Sequence, residues 1–254
     1  MHYIFKIKNK IRKTYNLNIW RLYKLFNKDF PSKQNVNLYN HLVRLGGKYA
    51  GWTVPSDVLD KHSICYCVGC GEDISFDLEL METYGCDVYG FDPTPRAIDY
   101  VTNIVKGNDK YHFSPVGLWS SKDEVKFYEP SNSQHVSHSV TNLQKTKKYF
   151  IGQVDRLINI AKLNGHKKID FLKMDIEGAE YTVLQTIIED SIDIDILCVE
   201  FDEWQLPVDK RYKARIKEAI VSLINYGYRL IYHDGDGNYT FMKNKTDAIK
   251  NNDS

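Results

Sequence analysis

The chain has 254 residues, enough for one large α/β domain with a short extension and too few for two full-sized domains. Its 34 Lys and Arg are nearly balanced by 33 Asp and Glu, so the overall charge argues against a nucleic-acid or other polyanion partner. No run approaches the roughly 20 apolar residues of a spanning helix, no signal-peptide core accompanies the basic N-terminus, and the five Cys are an odd number, which together suggest a cytoplasmic protein with reduced thiols.

Within the first 30 residues Lys6, Lys8, Lys10, Arg12, Lys13, Arg21, Lys24 and Lys28 face one acid, Asp29, and are interleaved with Ile4, Phe5, Ile7, Ile11, Leu22 and Phe26. Two readings stand: a helical extension that packs on the domain with its basic face outward, and a peripheral membrane contact. The expected organisation is a basic extension over residues 1–47, a single domain over 48–246 and a polar tail over 247–254.

From Ser63 onward, short β-branched runs alternate with segments of helical period, the pattern of a sheet with crossover helices. The first strand is SICYCV, ending at Val68; a helix carries Phe76, Leu78, Leu80 and Met81; the second strand is VYGF, ending at Phe91. A second helix starts near Pro95, where proline suits the first turn, and a third strand lies near Tyr111 to Val116. The polar stretch from Ser120 to about Gln153 reads as an insertion or loop. Helical period returns with Val154, Leu157, Ile158 and Ala161, followed by the strand IDFLKM, a helix after Gly178, the strand IDILCVEF and a helix through Ile216, Ile220 and Leu223. YRLIYHDGDGNYTFMK reads as a hairpin turned by Asp-Gly-Asp-Gly. The sum is a Rossmann-like α/β fold with a mostly parallel sheet and a C-terminal antiparallel hairpin.

VGCGEDISFD, from Val68, places Gly69 and Gly71 where the first strand turns into a helix, a place for a ligand to approach backbone closely. The third glycine of a dinucleotide fingerprint is replaced by Ile74, and Glu72 and Asp73 would repel a pyrophosphate at the helix start. A positively charged nucleoside tolerates them. Asp92, 21 positions after Gly71, stands where an acid can accept both ribose hydroxyls, although a helix-capping role would coexist with that one. Val116 and Gly117, at the end of the third strand, are expected beside the adenine. Cys65, Cys67 and Cys70 lack an evident fourth metal ligand nearby.

KIDFLKMDIEGAEYTVLQ, from Lys168 to Gln185, resembles the hallmark of the FkbM methyltransferases, an Asp-x-Glu-Gly-x-Glu turn delivered by a strand. KYAGWTVP from Lys48, GEDISFD and YGFDPTP further resemble a branch that includes vertebrate methyltransferase-like proteins. The resemblance implies a class I methyltransferase fold with a seven-stranded sheet, S-adenosylmethionine as donor and O-methylation, often of sugar or polyketide hydroxyls. It implies cofactor roles for Gly69, Gly71, Asp92 and Asp175, and places Asp175, Glu177 and Glu180 in the central motif. Asp175, Glu177 or His233 would act as general base. In the less favoured route Asp175, Glu177 and Glu200 bind Mg²⁺. Glu200, His138 and Trp52 are candidates for contact with a small-molecule or glycan acceptor. A module that holds a cofactor or glycan without turnover is the alternative.

Overall fold

The computed structural model describes residues 39–244; the basic segment and the polar tail lie outside the described residues, and with them the membrane-contact reading. The described residues all fall within one compact unit. It begins with an antiparallel pair, β1 (Leu42–Leu45) and β2 (Trp52–Pro55), in which Leu45 faces Trp52. This pair straddles the 47/48 boundary drawn from sequence, so its hydrogen bonds carry the domain further toward the N-terminus. Trp52 packs among Val54, Phe76 and Leu80, which makes it a core residue and removes it from the acceptor contacts.

The central sheet has seven strands: β3 (Ile64–Val68), β4 (Asp87–Phe91), β5 (Tyr111–Ser114), β9 (Lys168–Met174), β10 (Asp193–Glu200), β11 (Tyr228–His233) and β12 (Asn238–Lys243). Their spatial order is β11-β12-β10-β9-β3-β4-β5. Only β12 runs antiparallel to its neighbours, as the hairpin sequence requires. The helices are α1 (Ser75–Tyr84), α2 (Pro95–Ile104), α3 (Leu157–Leu163), α4 (Glu180–Glu189) and α5 (Tyr212–Asn225). Residues 65–68 and 171–174 are buried without alternation, because helices cover both faces of a parallel sheet. From β3 the chain winds outward to β4 and β5, and from β9 the other way to β10. The switch lies between β3 and β9, where an open α/β sheet leaves a crevice.

The stretch from Ser120 to Gln153 is an insertion beside the cleft and only partly a loop. It holds β7 (Asp123–Tyr128) and most of β8 (Tyr149–Asp155), which pair antiparallel, and with β6 (Gly117–Leu118) they form a second, three-stranded sheet ordered β6-β8-β7. Val154 thus belongs to a strand, and α3 starts later than its period suggested. The two strands are separated by some twenty polar residues, so neither carries a local hairpin signal. Packing supplies it instead: a Cβ at Gly152 would meet the Phe127 ring at 2.8 Å, and Phe127 stacks on Phe150 with centroids 5.1 Å apart. Among the described residues no helix is long and apolar enough to cross a membrane.

Candidate active site

At the sheet's switch point the chain leaves β3 through Gly69, whose φ is +83°. A Cβ there would stand 1.7 Å from the carbonyl oxygen of Asp175, so glycine is required by the neighbouring strand end and not by a ligand. The Gly69 N–H donates to Phe91 O at 3.0 Å, and Asp175 N–H donates to Val68 O at 3.1 Å, sewing the ends of β3, β4 and β9 together. Gly71, at φ +54°, is different. A Cβ there would meet only Val136 Cγ2, at 3.4 Å, and its backbone faces open space.

That space is a cleft of about 260 Å³ whose wall includes Gly69, Gly71, Asp92, Gly117, Asp175 and Glu177. Both Asp92 oxygens accept backbone N–H groups, Oδ2 from Gly71 at 2.9 Å and Oδ1 from Thr94 at 2.8 Å. Each oxygen keeps a further lone pair for a ligand hydroxyl. Glu72 and Asp73 reach the wall but are engaged: Glu72 is paired with Arg96, whose Nε lies 3.1 Å from Oε1, and Asp73 Oδ1 accepts from Ser75 N–H at 2.9 Å. Both acids, expected beside the cofactor, thus stand on the cleft wall with a partner already inside the protein. Val116 is absent from the wall, where Gly117 and Leu118 stand instead; its N–H donates back to Ser114 O at 2.9 Å in the turn between β5 and β6. Ile74, at the missing third glycine, is buried in the core.

The floor is acidic. Glu177 sits at φ +54°, unusual for a residue with a Cβ, and its carbonyl accepts from Ser139 Oγ at 2.6 Å. Burial, then the neighbouring Asp175, pushes the Glu177 carboxyl up to about 8. Burial likewise raises Asp175, against the pull of Lys173. Glu180, fully buried, accepts from Gly178 N–H at 2.9 Å and is pushed up to about 7 by burial. It is a backbone anchor for the turn. Asp202 Oδ2 shares the same N–H at 3.1 Å. Oxygens of Asp175, Glu177 and Asp202 lie within 4.8 Å of one another, a spacing that a divalent cation with carboxylate ligands could span. Asp202 thereby takes the place expected for Glu200. Glu200 lies behind the wall, raised to about 9 by burial and by the charges of Asp175 and Glu177.

His233 does not join this group. Its ring is buried and stacked on Tyr239 at 4.1 Å, its Nδ1 accepts from Gly235 N–H at 3.0 Å, and burial lowers its pKa. It braces the hairpin turn instead. His138 does reach the cleft, together with Val136, Ser137 and Val140, because the segment between β7 and β8 folds back through a Tyr128–Ser139 bridge. Leu118 and Lys173 are among the wall residues that sequence reasoning missed. The one legible signal for the second was a positive charge inside the largely apolar run IDFLKM.

The family model described as "Methyltransferase FkbM domain" matches residues 67–230. Among curated proteins, "Probable methyltransferase-like protein 24" of Rattus norvegicus is 26% identical over 132 residues, covering 52% of this chain and 30% of the relative. Its Homo sapiens counterpart is 25% identical over 135 residues, covering 53% and 31%. The matched stretch is thus under a third of the length of these relatives. Among solved structures, methyltransferase FkbM from Methylobacillus flagellatus KT is 14% identical, with a TM-score of 0.46 over 72% of this chain and 44% of that one. Fibrillarin of Aeropyrum pernix, solved with natively bound S-adenosyl-L-methionine, is 10% identical, with a TM-score of 0.40 over 74% and 68%. With 164 of 254 residues matched by the family model, between positions 67 and 230, the chain belongs to the FkbM methyltransferase domain family.

Proposed function

We propose that this chain is an S-adenosylmethionine-dependent O-methyltransferase acting on a hydroxyl of a sugar, glycan or related small molecule. The observation that carries the reading is one cleft in which an open glycine backbone, a hydroxyl-accepting Asp92 and the acids Asp175 and Glu177 line the same wall. When bound, S-adenosylmethionine supplies an electrophilic methyl group on a sulfonium.

Asp92 is placed to accept from ribose hydroxyls, and the Gly71 backbone admits the nucleoside without a side chain in the way. Glu177 is held at the floor by the Ser139 bond to its carbonyl. Its carboxyl, raised to about 8, releases its proton more readily beside a bound cation, so a base appears as the cleft fills. In that cleft Glu177 would take the proton of an acceptor hydroxyl held toward the cofactor's methyl group. Leu118, Phe127 and Val136 give the wall an apolar side that excludes water. The carboxylates along the wall favour a neutral acceptor over a nucleic acid or other polyanion.

Calorimetry with S-adenosylhomocysteine and NAD, followed by transfer of labelled methyl to neutral oligosaccharides, nucleotide sugars and small phenols, tests the reading. Binding of S-adenosylhomocysteine alone and labelling of a hydroxyl are expected. Binding of NAD alone overturns it, and cofactor binding without transfer to any acceptor favours the module without turnover.

A further inference from the structure

Among the described residues Lys173 is the one lysine or arginine on the cleft wall, and it is only 3% exposed. It sits in the middle of the sheet, in register with Cys67 on β3 and Cys198 on β10. A charge in such a place is costly unless paired, and a hydrophobic side chain of similar volume is often as stable or more so. Packing alone therefore does not call for lysine here.

Acids stand within electrostatic reach of it. Asp77 on α1 is 1% exposed and accepts from Tyr111 Oη at 2.7 Å, and that hydroxyl lies 3.8 Å from Cys70 Sγ. Burial would lower the Lys173 ammonium, but the carboxylates of Asp77 and Asp175 outweigh it and keep the side chain charged. The ammonium then makes a contact that a hydrophobe cannot: Nζ donates to the carbonyl oxygen of Gly69 at 2.9 Å. With its N–H on Phe91 O, Gly69 has both backbone polar groups committed. Two residues later, Gly71 N–H is committed to Asp92. The turn between them is thus tied at both ends.

We propose that Lys173 is the positioning residue of the cofactor loop: its buried ammonium holds the Gly69 carbonyl and so fixes the turn that presents Gly71 to the cleft. The role rests on the methyl-donor reading of that cleft. Lys173 touches the loop and not the reacting atoms.

The test compares the full chain with Lys173→Met, Asp77→Asn and the double variant, using thermal unfolding, calorimetry with S-adenosylhomocysteine, and amide exchange at Gly71 in the cofactor-free protein. Each single variant unbalances the buried charges and is expected to melt lower. The double variant removes both charges and is expected to recover its melting temperature, yet to bind S-adenosylhomocysteine about tenfold more weakly and to exchange the Gly71 amide faster, because the charged hydrogen bond to Gly69 is gone. A double variant with wild-type affinity and wild-type exchange overturns the proposal and makes the pair packing only. If neither single variant folds, the neutral double variant still gives both readings. If it also fails to fold, Lys173→Arg, which keeps the charge but moves the donors, is read in the same two ways. A wild-type protein that does not bind S-adenosylhomocysteine overturns the cofactor reading, while the exchange at Gly71 still reports separately on the hold of Lys173 over the loop.

Discussion

The backbone N–H of Gly71 donates to Oδ2 of Asp92 at 2.9 Å, which makes the glycine loop after β3 and the acid at the end of β4 a single unit. Asp92→Ala therefore removes more than a ligand contact. It orphans the N–H groups of Gly71 and Thr94, at about 1–3 kcal/mol for each one left unsatisfied. A lower melting temperature is expected, with affinity for S-adenosylhomocysteine reduced on the order of a hundredfold. Asp92→Asn, which keeps one acceptor oxygen, should fall between. Wild-type affinity in Asp92→Ala, measured by calorimetry, would remove Asp92 from the site.

Gly69 and Gly107 share a left-handed backbone, with φ of +83° and +80°, but not their surroundings. A Cβ at Gly69 collides with Asp175 O, whereas a Cβ at Gly107 meets nothing within 4 Å. Gly107→Ala is expected to cost only the backbone strain, on the order of 1 kcal/mol. Gly69→Ala must move a strand end and is expected to unfold the site. Equal melting temperatures for the two variants would refute the close approach of β3 and β9.

The carboxyls of Glu180, Glu177 and Glu200 are held up to about 7, 8 and 9, chiefly by burial, against an ordinary value of 4.5. A raised carboxyl binds its proton more tightly in the folded chain, so its contribution to stability is complete below about 4.5 and is lost as the pH climbs through the folded value. His233, held neutral, acts in the opposite sense around its ordinary value of 6.5, which makes pH 7 to 9 the informative window. The melting temperature of the cofactor-free protein should fall across it, and Glu200→Gln should flatten the slope. A melting temperature that rises over that range contradicts the buried acidic floor.

Glu177 and His233 should separate cleanly in kinetics. Glu177→Gln keeps shape and hydrogen bonding but cannot take a proton; with S-adenosylhomocysteine binding retained, kcat is expected to drop at least about a hundredfold. His233→Gln loses a ring stacked on Tyr239 and should melt lower while keeping kcat within about threefold. The reverse pattern would return the base to His233.

Much of the fold was legible because its signals are local. β3 to α2 and β9 to α4 follow from apolar runs, turn glycines and the proline at the start of α2, each set within about ten residues. β7 and β8 were not legible. Their pairing crosses a polar stretch, and the contact that settles it, Phe127 against Gly152, exists only once the chain has folded back. Trp52 and His233 failed for a related reason: an aromatic or a histidine near a strand end reads alike whether it faces a cleft or a core.

The sequence by itself determined the alternation of strands and helices, the glycine loop, the spacing to Asp92 and the Asp-x-Glu-Gly-x-Glu turn, because hydrophobic period and turn chemistry act between near neighbours. Only the tertiary structure decided that Gly69 answers to Asp175, that Asp202 stands beside Asp175 and Glu177 in place of Glu200, and that Lys173 reaches back 104 positions to a carbonyl. Those relations depend on which strand ends meet at the switch point, and that is set by the packing of the whole sheet rather than by any segment of it.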